Sequence, residues 1–227
     1  MAIQFIQFED MKITSTSAQS IELSSGFNTT AGNTLICLVI YWRQLFPDAE
    51  VSSITDTAGN SYTKVARATH DDYTTITSEI WYSTGIKAQT SNKVKANFSG
   101  AINYPWMSVA EFSGVSALDD DATNSSTGTV LTSGEMEAST DDSVILGVYS
   151  MDGVRTFVTG DGYTKLHSGT SGYDFGQYKI LDDAGTYEAV TGTLAASTDA
   201  AVTGAIFFKG AETDKIKFMS WLIQRTD

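Results

Sequence analysis

Short apolar runs, separated by clusters of Gly, Asn, Asp and Ser, recur along almost the whole sequence and constrain the fold more than any other feature. Many runs alternate apolar with polar residues, as in Ile3 to Phe8 and Val94 to Phe98, which is the pattern of a strand with one buried face. About a dozen runs follow one another at spacings of roughly 8–15 residues, and helical periodicity is nearly absent. The sequence therefore predicts an all-β protein, an antiparallel two-sheet β-sandwich of jelly-roll-like type, although an immunoglobulin-like strand order fits the same pattern.

The composition supports this fold class and excludes some partners. The 30 Thr and 25 Ser make up nearly a quarter of the 227 residues, which is typical of short strands joined by polar turns. The formal net charge is −13, because 27 acidic residues outnumber 14 basic ones. Such a chain repels phosphate backbones and anionic headgroups, so we expect neither nucleic acid nor a membrane as a partner.

The run from Thr34 to Trp42 is the most apolar of the sequence and predicts a central strand that is buried on both faces. It contains the single cysteine, Cys37, which we expect to behave as a small buried hydrophobic residue. Two stretches rich in Gly, Ser and Asp, Leu118 to Ser126 and Ser168 to Tyr173, are predicted to be loops. The segment Asp56 to Asn60 predicts a tight turn.

Both ends of the sequence bear on localisation and assembly. The first ten residues alternate and lack a basic region followed by an apolar run, so we predict no signal peptide and synthesis in a cytoplasm. Residues 1–210 are predicted to form the β-sandwich domain. Residues 211–227 are predicted to be an apolar docking segment, helical or extended, with four partner-binding side chains: Ile216, Phe218, Trp221 and Leu222.

Several short motifs follow one another in a characteristic order. They are Thr30-Ala31-Gly32-Asn33-Thr34-Leu35, Ile54-Thr55-Asp56-Thr57-Ala58-Gly59-Asn60-Ser61-Tyr62, Ile80-Trp81-Tyr82, Val109-Ala110-Glu111-Phe112-Ser113-Gly114-Val115, Gly162-Tyr163-Thr164-Lys165-Leu166 and Ala205-Ile206-Phe207-Phe208-Lys209. This succession, from about residue 20 to 209, resembles a β-sandwich module of bacterial surface proteins and of tailed-phage structural proteins.

The resemblance implies binding, display or assembly, and it provides no catalytic residues to transfer. The chain carries one copy of the module, not a tandem array, and no export signal, which favours the phage members. We therefore expect a non-enzymatic structural component of a tailed-phage virion, such as a head decoration protein, an adaptor or a fibre module. Its partners would be other virion proteins or copies of itself.

A search for catalytic and metal-binding patterns gives little. The two histidines, His70 and His167, are far apart in sequence, and no paired cysteines occur, so no zinc site is predicted. Acidic clusters at 119–121, 141–142 and 182–183 could offer oxygen ligands to calcium, but they fit polar turns better. Neither a nucleophile elbow nor a phosphate-binding loop is present. We expect no catalytic residue, no metal and no cofactor.

Aromatic residues at predicted strand ends and loops give an alternative function. Trp42, Tyr104, Trp106 and Tyr173 are candidates for stacking on sugar rings, and Tyr73 and Phe175 occupy similar positions. These residues would make the protein a carbohydrate-binding or adhesive module that recognises cell-surface glycans. Tyr104 and Trp106 could equally close the end of the hydrophobic core.

Overall fold

The computed structural model describes residues 2–13, 17–43, 48–70 and 75–209, which form β-strands and turns and no helix. The all-β class is therefore confirmed. In this part of the chain no helix is long and apolar enough to cross a membrane. The strands are β1 (Gln4–Lys12), β2 (Ala18–Glu22), β3 (Phe27–Thr29), β4 (Thr34–Trp42), β5 (Val51–Asp56), β6 (Thr63–His70), β7 (Ile76–Ser83), β8 (Gln89–Asn92), β9 (Val94–Ser113), β10 (Val115–Gly128), β11 (Thr132–Ala138), β12 (Ser143–Thr156), β13 (Thr164–Lys165), β14 (Ser171–Leu181), β15 (Gly185–Val190) and β16 (Thr198–Lys209).

The first sheet is antiparallel and has the order β1-β9-β4-β7-β6. Strand β4 lies at its centre, paired with β9 on one side and β7 on the other. Eight of its nine residues are buried, including Cys37, which is fully inaccessible. The prediction of a central strand buried on both faces is confirmed.

The long strand β9 belongs to two parts of this sheet. Its first residues, from Val94, pair with β2 and β5, and its last residues, up to Ser113, pair with β1 and β4. Side chains of β2, β5 and early β9 pack against one face of β4 and β7 in a single core. The sheet is thus folded over itself, and this covers the first apolar face of β4.

The second sheet, of order β10-β16-β12-β14-β13, covers the other face. Leu38, Trp106 and Phe112 of the first sheet pack against Leu146 and Phe207 of the second in a core between the sheets. This packing makes the protein a β-sandwich. The strand order does not confirm the jelly-roll-like arrangement.

One loop prediction is wrong and another is partly wrong. Residues Leu118 to Ser126 lie within β10, which pairs with β16 along its whole length apart from two register shifts. Pairing of an edge strand uses backbone groups, so its polar side chains can remain accessible, and composition alone does not reveal the strand. Residues 168–170 precede β14, but Ser171 to Tyr173 belong to it.

The pair β11-β15 forms a further layer, which covers the outer face of the second sheet. Met136 and Ala189 of this pair pack against Ile145 and Ile206. The layers come close together at Gly147 and Gly204, which pair with each other across β12 and β16. A Cβ atom on either glycine would lie less than 3 Å from a neighbouring side chain.

The long strands define two ends of the sandwich. At one end, which we call the terminal end, Gln4 pairs with Ser113 and Lys209 pairs with Val115. At the other, the distal end, β4 finishes at Trp42 and β1 finishes at Lys12. A nine-residue strand spans about 30 Å, so the two ends are well separated.

Gly204→Ala should destabilise the protein by about 1–3 kcal/mol, because the added methyl group overpacks the space under β11. Its Cβ would lie 2.6 Å from the Oγ atom and 2.7 Å from the Cβ atom of Ser133. Urea unfolding measures the change. Ser125→Ala, at an exposed position of β10, is the control and should change the free energy of unfolding by less than about 0.5 kcal/mol. Equal stability of the two variants would contradict the close packing of this layer.

Candidate functional site

An aromatic pocket lies at the distal end. The described side chains that line it are Lys12, Trp42, Tyr104 and Tyr173, and its volume is about 340 Å³. Lys12 and Trp42 are the last residues of β1 and β4, Tyr104 lies within β9, and Tyr173 is near the start of β14. The pocket is therefore built by both sheets of the sandwich, where β1 and β4 end and β14 begins.

The three rings hold one another in fixed orientations. The Trp42 ring meets the Tyr104 ring edge-on at 5.4 Å between centroids, and it meets the Tyr173 ring edge-on at 5.0 Å. Edge-to-face pairs at this separation are favourable, because the positive edge of one ring faces the negative face of the other. Trp42 is thus the central ring, and 37% of Tyr104 remains exposed.

Tyr104 has an unusual backbone. Its φ angle is +49°, in the left-handed region that costs a residue with a side chain about 1–2 kcal/mol. It lies where the pairing between β4 and β9 shifts register, between Ile40 and Trp42. Backbone strain of this kind concentrates at functional positions, where the surrounding structure maintains it.

The polar tips of the three rings are available to a ligand. Among the described residues, the hydroxyl groups of Tyr104 and Tyr173 and the indole N–H of Trp42 make no hydrogen bond. The pocket therefore combines apolar ring faces with one donor and two groups that both donate and accept.

Lys12 joins the pocket to a buried carboxylate. Its Nζ atom lies 5.8 Å from the centroid of Tyr173 and donates a hydrogen bond of 2.6 Å to Oδ1 of Asp174. The Asp174 side chain is only 3% exposed. Burial alone would raise the pKa of Asp174, but the neighbouring His167 and Lys12 outweigh this and hold the pKa below its usual value.

His167 lies behind this ion pair. Its Nδ1 accepts the Gly169 N–H at 2.7 Å, which assigns the proton to Nε2. Nε2 is 3.5 Å from Asp174 Oδ2, close enough for attraction, but neither atom makes a hydrogen bond within the described residues. Asp10 Oδ2 completes the group and accepts hydrogen bonds from the backbone N–H and the hydroxyl of Ser168.

The structure unites three of the four aromatic residues proposed for sugar binding. Trp42, Tyr104 and Tyr173 line the pocket, but Trp106 is only 1% exposed and cannot contact a glycan. It is buried because its ring stacks on His167 within the core between the sheets. For Trp106 the alternative interpretation, closure of the core, is correct. Phe175 is also buried, in a separate apolar cluster, and Tyr73 lies outside the described residues.

Sequence reasoning missed the charged part of the site. Lys12 and Asp174 are 162 positions apart, and each occurs in an ordinary strand pattern.

The four predicted partner-binding residues, Ile216, Phe218, Trp221 and Leu222, lie outside the described residues.

The turn motif Ile54 to Tyr62 has a structural role in this fold. Asp56 accepts hydrogen bonds from the backbone and side-chain N–H groups of Asn60, from the Tyr62 hydroxyl and from Asn92. Gly59 has φ +68°, as the predicted tight turn requires. Burial would raise the pKa of Asp56, but these hydrogen bonds hold it below its usual value.

Glu111, of the motif Val109 to Val115, is a second internal clamp. It is fully buried and accepts hydrogen bonds from Gln7 Nε2, the Thr30 backbone N–H and Asn33 Nδ2 at 2.6–3.0 Å. It therefore ties the turn before β4 to β9 and β1.

The acidic clusters also cap backbone groups. Asp119 accepts hydrogen bonds from the backbone and hydroxyl of Ser139, and Asp141 accepts one from the backbone of Ala184. Over the described ranges no three His, Cys, Asp or Glu residues come together as a metal-binding group.

A scan of the sequence against protein-family models finds no matching family. Searches of curated proteins and of solved structures find no match either. The resemblance to the phage and surface-protein module therefore rests on the motifs of the sequence alone and stays a prediction.

Asp174→Asn should lower the free energy of unfolding by about 2–4 kcal/mol, because it removes one partner of a largely buried ion pair. Chemical unfolding at neutral pH measures the change. Asp142→Asn is the control: the Asp142 side chain is 44% exposed in its pair with Lys209, so this pair should contribute less than about 1 kcal/mol. Similar losses in the two variants would contradict the importance of burial at this site.

The same ion pair predicts acid sensitivity. The folded-state pKa of Asp174 is lowered, so its contribution is complete above the unfolded-state pKa of about 3.9 and is lost as the pH falls through the folded-state pKa. Unfolding measured from pH 5 to pH 2 should therefore show a shallower loss of stability in Asp174→Asn than in the unmodified protein. Parallel curves would contradict this assignment.

Proposed function

We propose that the protein is a non-enzymatic structural component of a tailed-phage virion that acts by protein–protein assembly. A head decoration protein, an adaptor and a fibre module are the roles that fit. After synthesis in the host cytoplasm it would be located in the virion, with other virion proteins or copies of itself as partners.

The hydrogen bonds made by the motif residues support the role of a structural component. Asp56 of the motif Ile54 to Tyr62 and Glu111 of the motif Val109 to Val115 each accept at least three hydrogen bonds from neighbouring loops and strands. Groups bound in this way hold turns in place. A module that keeps these residues would keep its fold while its exposed ends vary, as binding and display proteins require.

The observation that carries the proposal is the separation of the two ends. Lys209 and Ala2 lie together at the terminal end: a Cβ on Gly114 would be 2.9 Å from the Ala2 backbone oxygen, and the next residue, Val115, pairs with Lys209. The segment 211–227 thus follows a residue at the end opposite to the pocket. Docking of its apolar side chains on a neighbouring subunit would leave the distal end accessible.

Strand β1 offers a further assembly surface. It is an edge strand that pairs with β9 alone among the described residues, and 43% of Ile6 is exposed. An edge strand presents backbone donors and acceptors that an extended segment of a neighbouring subunit can pair with.

Removal of residues 211–227 should convert a defined oligomer into a monomer and leave the sandwich folded. Light scattering measures the mass of both forms, and thermal unfolding checks the fold. The full-length variant Ile216→Ser/Phe218→Ser/Trp221→Ser/Leu222→Ser should behave as the truncated form, because the apolar side chains stabilise the contact.

Thr213→Ala/Ser220→Ala is the matched control, since it changes the same segment without removing apolar surface, and it should keep the oligomer. A monomer in every form would contradict self-assembly. An oligomer that survives truncation would show that the segment is not the docking element.

A further inference from the structure

We infer that the distal pocket binds a pyranose ring of an uncharged cell-surface polysaccharide. This inference goes beyond the proposed assembly role and does not depend on the docking of residues 211–227. It assigns a ligand class to the pocket formed by Lys12, Trp42, Tyr104 and Tyr173.

The size and shape of the pocket support this ligand class. A volume of about 340 Å³ lies at the lower end of the range for small-ligand sites, which is suited to one sugar ring. The Tyr rings stand nearly perpendicular to Trp42, at 80° and 87°. Their faces offer apolar surface to the C–H groups of a pyranose.

The polar groups of the pocket also favour a sugar. The Trp42 indole N–H and the hydroxyl groups of Tyr104 and Tyr173 make no hydrogen bond within the described ranges. Sugar hydroxyls both donate and accept, so they can satisfy all three groups. A proline-rich peptide, the other ligand that favours aromatic grooves, presents chiefly carbonyl acceptors and would leave acceptor capacity of the tyrosines unused.

The charges around the pocket favour an uncharged ligand. The Lys12 side chain is 37% exposed, and its ammonium group lies over the Tyr173 ring and is paired with Asp174. Its positive charge disfavours a cationic ligand in an aromatic pocket. The pairing with Asp174 and the net charge of −13 disfavour a polyanion. An uncharged ligand remains, to which Lys12 can donate its further N–H groups.

The backbone at Tyr104 also indicates a contact with a ligand. Glycine would adopt its φ of +49° without strain, yet an aromatic residue that is 37% exposed occupies the position. Because an exposed ring contributes little to the core, the strain indicates a role in contact with a ligand.

The test is an array of purified neutral capsular and O-chain polysaccharides of bacteria, followed by calorimetry on the bound polysaccharide with full-length protein. We expect binding of at least one neutral polysaccharide. Tyr104→Ala and Trp42→Ala should each weaken it about tenfold or more, because each removes a ring face. Tyr104→Phe, which keeps the ring, should lose less affinity than Tyr104→Ala.

Tyr187→Ala is the control, since Tyr187 is a partly buried tyrosine of β15 in the outermost layer, away from the pocket, and it should bind as the unmodified protein. Tyr104→Gly addresses folding: it should unfold at a higher temperature than Tyr104→Ala, because glycine relieves the backbone strain, and yet bind equally poorly.

Three results would overturn the inference. One is an unmodified protein that binds no polysaccharide on the array, and another is binding that Tyr104→Ala and Trp42→Ala leave intact. The third is a panel of proline-rich peptides that binds instead and loses affinity in Tyr104→Ala. None of these results bears on the oligomeric state, so failure here is distinguishable from failure of the assembly role.

Discussion

The burial of both faces of β4 is the constraint on which the rest of the structure depends. A strand that is apolar on both sides must be covered twice. One cover comes from β2, β5 and the first part of β9, and the other from the second sheet. The second sheet also has two apolar faces, so β11 and β15 cover its outer side. The result is four stacked layers, more than the two sheets that the sequence pattern predicts.

Polar groups inside these layers need hydrogen-bond partners within the protein, because water does not reach them. The buried carboxylates lie where such partners are present. Glu79 of β7 is inaccessible and accepts hydrogen bonds from the Tyr41 hydroxyl and from Trp81 Nε1, and Lys64 Nζ lies 3.2 Å from it. Burial and the nearby Glu79 charge raise the pKa of Tyr41, so the phenol stays protonated as a donor. Asp56 and Glu111 meet the same requirement at the turns. At the distal end, in contrast, the pocket is lined by three described aromatic residues whose polar groups make no hydrogen bond within the described ranges.

The sequence predicted what depends on local pattern. The strand class, the central position of Thr34 to Trp42, the burial of Cys37 and the turn at Gly59 all follow from periodicity and turn chemistry. The strand status of Leu118 to Ser126 did not, because an edge strand with polar side chains has the composition of a loop.

The candidate site was predicted only in part, for a related reason. Aromatic residues near strand ends were recognisable, so Trp42, Tyr104 and Tyr173 were named. Their convergence, the burial of Trp106 and the pairing of Lys12 with Asp174 depend on which strand ends meet across two sheets. Strand order is a property of long-range packing, and periodicity within a single strand carries no information about it.

The layered architecture also determines where a function can reside. The broad faces of the inner sheets are covered by neighbouring layers, so binding surfaces are restricted to edges, outer faces and the two ends. Antiparallel strands bring residues from distant parts of the chain together at each end, and loops there can change without disturbing the core. At the terminal end the described chain starts and stops within one cluster of strands, whereas at the distal end three aromatic side chains meet around a strained backbone position. Attachment to a neighbouring subunit through the terminal end, as proposed, would leave the pocket at the distal end accessible to a ligand. Neither contact would require a change in the core.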